Sequence, residues 1–112
     1  MFSSFFKKKN ASNGSDGVVK LAKPKELPSQ IGRHMVVEMQ LDPDWVWNLK
    51  YVSYPDKNNS KSFKFRIFSE QTAHDRGVSV SNFTSLDDHQ DIILFDGFYD
   101  SNISKVNIES RS

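Results

Sequence analysis

From Trp45 onward, apolar and polar residues alternate along the chain. Trp45, Trp47, Leu49 and Tyr51 fall on one side of an extended segment, and Val46, Asn48, Lys50, Val52 and Tyr54 fall on the other. A period of two is the mark of a half-buried strand, so the pattern predicts a strand over residues 46–54 with both tryptophans turned inward. After the polar stretch 55–61, Phe63, Phe65 and Ile67 alternate with Lys64, Arg66 and Phe68. Two such runs around a short polar loop predict an antiparallel hairpin. Ile92, Ile93, Leu94 and Phe95 form the densest aliphatic run and predict a strand over residues 92–99, bulged or bent at Gly97. Val106 and Ile108 alternate with Asn107 and Glu109 in a final edge strand over residues 105–109.

Upstream of the tryptophans the period changes. Ile31, Met35, Val36 and Met39 stand at i, i+4, i+5 and i+8, one face of a helix that Ser29 would cap and Asp42-Pro43 would stop. Met35, Val37, Met39 and Leu41 also alternate, which fits a strand. The start and stop signals favour the helix. Asp42-Pro43-Asp44 is punctuation on either reading, as a helical cap with proline at the first position or as a type I turn. Residues 69–76 predict a short surface helix with Ser69 as cap and Gly77 as stop, and Ser85-Leu86-Asp87-Asp88 resembles a capping box. The expected class is therefore α+β: an N-terminal helix packed on a mainly antiparallel sheet of about four strands. The alternative is a five-stranded, partly open β-barrel with residues 35–41 as its first strand.

Composition divides the chain in two. Residues 1–25 read as a flexible basic tail and linker, and residues 26–112 as a single small α+β domain. The first 30 residues carry six lysines against Asp16 and Glu26, while the rest carries nine Lys/Arg against twelve Asp/Glu. A mildly acidic folded part lacks the basic face of a duplex-binding domain. In the leader, Phe2, Phe5 and Phe6 precede Lys7-Lys8-Lys9, a pattern suited at most to weak contact with an anionic membrane surface. No apolar run approaches the ~18 residues of a membrane span, no signal-peptide pattern is present, and cytoplasmic localisation is the default expectation. Cysteine is absent, which excludes disulfides, thiolate metal sites and cysteine nucleophiles.

No pattern carries catalysis. Asp87, Asp88, Asp91, Asp96 and Asp100 cluster around His89, but the Asp56–Ser60 stretch that begins like a calcium loop has Lys61 and Ile67 where that loop needs glycine and glutamate. His34, His74 and His89 lack metal-ligand spacing, and the glycines are too scattered to cradle a phosphate. No catalytic residue, metal or cofactor is assigned. The Asn-x-Ser/Thr triplets at Asn10, Asn13, Asn58, Asn82 and Asn102 reflect the shared preference of Asn and Ser for turns. The aromatic residues remain. Most of them are expected in the core, with Tyr54, Phe68 and Phe98 turned outward as an interaction surface. The function expected from this pattern is a non-enzymatic protein-interaction or adaptor module with a protein partner of unknown identity. The alternatives are a single-stranded nucleic-acid-binding module using Phe63, Phe65, Lys64 and Arg66, or an accessory subunit of an enzyme using His74/Asp75 or the Asp87–Asp91 cluster.

Overall fold

Five strands run antiparallel in the order in which they occur in the chain. The structure is a computed structural model that describes residues 20–111. The aromatic-basic leader, with its expected membrane contact, lies outside the described residues. The strands are β1 (Lys25–Glu26), β2 (Lys50–Pro55), β3 (Phe63–Phe68), β4 (Ile93–Asp100) and β5 (Lys105–Ser110), each paired with its sequence neighbour. Short polar connections between β2 and β3 and between β4 and β5 favour this meander, because antiparallel neighbours need no crossover. The sheet stays open, with β1 and β5 at its edges. The mixed α+β class holds, and the barrel does not form.

The ambiguous segment is helical. α1 (Ser29–Arg33) continues into a π-helical turn, His34–Glu38. Ile31 and Met35 are fully buried, whereas Val37 is 63% exposed, so the helical spacing describes this segment and the strand alternation does not. The helix follows β1 and is not N-terminal to the sheet, and the fifth strand comes from Lys25–Glu26, not from residues 35–41. Gln40 ends the helical stretch at a φ of 57°, a left-handed conformation usually left to glycine or asparagine.

The largest correction falls on the tryptophans. β2 begins at Lys50, four residues later than the alternation predicts. Before it, the Asp42 carboxylate accepts a hydrogen bond from the Asp44 amide at 3.0 Å, and Pro43 opens a helical turn, α2 (Pro43–Val46). In a helical turn the inward positions are three apart, so Val46 and Leu49 enter the core. Trp45 and Trp47 are left 40% and 45% exposed. The Trp47 ring lies over Gly32 of α1, where an added Cβ would stand 2.2 Å from a ring atom. Trp45 leans on Phe95 with ring centroids 6.0 Å apart. Both rings wall the helical corner and neither is a core strand residue.

Register sorts the sheet residues into two faces. On one, Tyr51, Ile67 and Phe95 stand in a cross-strand row beside Phe65 and Gly97. Leu27, Ile31, Met35, Val46 and Leu49 cover this face. An added Cβ on Gly97 would meet the Phe65 ring at 2.2 Å, so the missing side chain makes room for that ring. On the other face, Val52, Phe68 and Ile93 are covered by Ala73 of α3 (Glu70–Asp75) and by Phe83 and Leu86 of a 3-10 turn, Phe83–Leu86. A bulge lets β4 serve both faces: Ile67 pairs with Phe95 but Phe68 pairs with Ile93, which leaves Leu94 as the extra residue. The bulge therefore sits at Leu94, not at Gly97. The caps on α3 fall where expected, with Ser69 Oγ accepting from the Thr72 amide at 3.2 Å and Gly77 at a φ of 67°. The next cap is displaced: Asn82 and Ser85 cap the 3-10 turn reciprocally, one turn before the expected box at Ser85–Asp88.

Candidate functional site

Alternation in β2, β3 and β4 places Tyr54, Lys64 and Phe98 on the face opposite α1, and the register sets them directly across from one another. Tyr54 pairs with Lys64, and Lys64 pairs with Phe98, so an aromatic–lysine–aromatic row crosses three strands. Both aromatic residues are half-buried and Lys64 is exposed. The row lies at the end of the sheet near the β2–β3 loop and borders a hollow of about 400 Å³ shared with Pro55, Asp56 and Lys57.

Neighbouring groups hold the row in shape. Tyr54 meets Phe83 edge to face at 5.5 Å. Lys64 Nζ stands 5.0 Å from the Tyr54 centroid and 5.5 Å from the Phe83 centroid, within cation–π range of both. Phe83 is itself fixed by Arg66, whose guanidinium lies 4.1 Å from the ring centroid and donates to the Phe83 carbonyl at 2.8 Å and to Asp87 at 2.7 Å. At the end of the hairpin, buried Ser62 accepts from the Ser101 amide at 2.9 Å, and Asn59 donates to Ser101 Oγ at 2.8 Å. These bonds tie the β2–β3 loop to the β4–β5 turn beside the hollow.

The structure divides the expected interaction residues. Tyr54 and Phe98 share the hollow. Phe68 does not join them, because it is 1% exposed and packed with Ile93 beneath α3 and the 3-10 turn. Its position on a nominally outer face was legible, but the cover comes from residues far along the chain. The stacking platform expected from Phe63, Phe65, Lys64 and Arg66 is not assembled. Phe65 is buried on the α1 side, with Phe63 beside it at 6.1 Å, whereas Lys64 and Arg66 point to the opposite face. Phe83 is the residue that sequence reasoning missed in this role, and the Asn82/Ser85 cap was its available signal.

The acidic cluster is organised by guanidinium groups. Arg66 pairs with Asp87 at 2.7 Å, Arg111 pairs with Asp96 at 2.7 Å, and Arg76 pairs with Asp91. The hydrogen bond from Arg76 holds the Asp91 carboxyl below the usual carboxylate range. Burial pushes the Tyr51 phenol above its ordinary value on the other face. His74 and Asp75 lie 3.8 Å apart, both well exposed at the end of α3. Among the described residues, no group of three His, Cys, Asp or Glu could hold a metal ion, and no helix is long and apolar enough to cross a membrane. No protein-family model matches the chain, and comparisons with curated proteins and with solved structures found no match.

Proposed function

We propose that this chain is a non-enzymatic interaction module that grips a short segment of a protein partner across the Tyr54–Lys64–Phe98 row. The observation that supports this reading is the row itself: two half-buried rings flank one exposed cation on a rigid sheet. Rings fixed by cross-strand packing lose little freedom on binding, so they offer contact area at low entropic cost. The partner chemistry that fits is a peptide carrying a carboxylate beside an apolar side chain. The carboxylate reaches Lys64 Nζ, and the apolar group lies on Tyr54 or Phe98. A contact of this size suits weak, transient association.

Selection of displayed random peptides against the intact chain tests the proposal. Peptides with an acidic residue next to an aromatic or aliphatic one should be enriched, and Lys64→Glu should lower their affinity by about tenfold or more. Enriched peptides that bind Lys64→Glu and Tyr54→Ala as well as the parent would overturn it. A second reading rests on the same side chains, since a lysine flanked by two rings also suits unstacked bases. Salt-sensitive binding of oligo(dT), lost in Lys64→Glu and unaccompanied by any peptide binding, would replace the protein partner by single-stranded nucleic acid.

A further inference from the structure

The two edges of the sheet differ. β1 contributes two residues and is bracketed by Pro24 and Pro28, so it offers almost no ladder to another chain. β5 runs for six residues, Lys105–Ser110, contains neither proline nor glycine, and pairs with β4; among the described residues no strand lies beyond it in the sheet. A strand of this length leaves a row of outward amide and carbonyl groups at the edge, a template for a further strand.

The side chains of β5 specify which strand fits. A two-fold axis normal to the sheet keeps each residue on its own face, so an antiparallel pair of identical strands must be centred on a residue. With the axis at Asn107, Lys105 of one copy faces Glu109 of the other, and Val106 faces Ile108. Asn107 faces Asn107. Both ends of the pair then carry an opposite-charge contact on one face, and both carry an apolar contact on the other. Centring the axis on Val106 sets lysine against asparagine, and centring it on Ile108 sets valine against serine; neither register brings opposite charges together. Val106 belongs to the core beneath α1, and Ile108 packs against that core. The Asn107-centred pairing would carry this apolar layer from one copy into the next. Beside Lys105 and Val106 lies a groove of about 580 Å³ bordered by Val37 and Ile103, the two most exposed large apolar side chains among the described residues.

From this self-complementarity we infer that β5 is a homodimerisation edge, joining two copies into a continuous ten-stranded antiparallel sheet. The inference does not rest on the reading of the Tyr54 row, although the row ends at Phe98, which pairs with Asn107 across β4 and β5. Analytical ultracentrifugation of the full chain tests it through charge reversal. The parent should dimerise reversibly. Lys105→Glu alone and Glu109→Lys alone each place like charges opposite one another twice, and each should weaken the dimer by about tenfold or more. An equimolar mixture of the two variants should form a heterodimer of near-parental affinity, because every contact is again between opposite charges. Both side chains are exposed, so melting temperatures should stay close to parental in dilute, monomeric samples. A parent that remains monomeric at the concentrations used for NMR would overturn the inference. So would a dimer indifferent to both reversals, or a mixture that pairs no better than its components.

Discussion

The two faces of the sheet are held in different ways. The face under α1 is closed by apolar contact: Ile31, Met35, Val46 and Leu49 sit on Phe65, Ile67 and Phe95. The rings of Tyr51, Phe63 and Tyr99 extend it, with centroids 5.6 to 6.2 Å apart. The opposite face mixes Val52, Phe68 and Ile93 with Lys64, Arg66 and Asp96, and its cover is pinned by one arginine. An all-apolar face is satisfied only when it is fully covered. A mixed face can be covered at one end and left open at the other, since its charges remain solvated there. That difference explains why the candidate recognition row lies on the second face. The first is occupied with stability.

Three substitutions probe the comparison. The largest effect is expected from Phe65→Ala in the apolar face. It removes a 1%-exposed ring that also fills the space above Gly97, and it should cost about 3–5 kcal/mol in chemical denaturation. A cost near that of a surface change would mean that the α1 face is not the main source of stability. Arg66→Met comes next. It keeps most of the side-chain stem but removes the bonds to the Phe83 carbonyl and Asp87, and it should cost about 1.5–3 kcal/mol. It should also loosen Phe83 beneath Tyr54, which would appear as altered chemical shifts of both rings. Unchanged Phe83 and Tyr54 shifts would show that apolar packing alone holds the 3-10 turn. Trp47→Ala should have the smallest effect, about 1–2 kcal/mol, because the ring is 45% exposed and its main loss is the contact over Gly32. A loss as large as that of Phe65→Ala would restore Trp47 to the core.

Much of the fold was legible because its signals are local. The β2–β3 hairpin follows from alternation on either side of a polar loop, and the α3 ends follow from Ser69 and Gly77. The β5 strand follows from Val106 and Ile108. The tryptophan segment failed on the same kind of evidence: residues 45–51 fit a period of two, but the Asp42 cap and Pro43 start a helical turn that shifts the inward positions to Val46 and Leu49. The capping alternative was visible at Asp42-Pro43-Asp44, and the apolar alternation outweighed it. For the candidate site, alternation put Tyr54 and Phe68 opposite the expected core face, with Phe98 grouped beside them as an outward ring. It could not say that Phe68 would be covered and the other two left open.

The sequence by itself determined the antiparallel hairpin, the helical face of Ile31 and Met35, the absence of cysteine chemistry and the alternation that sorts side chains between two faces. Only the tertiary structure decided which part of each face meets solvent. Arg66 reaches Asp87, 21 residues away, to bring the 3-10 turn over Phe68, and the bulge at Leu94 lets Ile93 and Phe95 serve opposite layers. Periodicity and caps arise from the geometry of neighbouring residues, so they can be read along the chain. Cover arises from segments that meet only after folding, so it cannot.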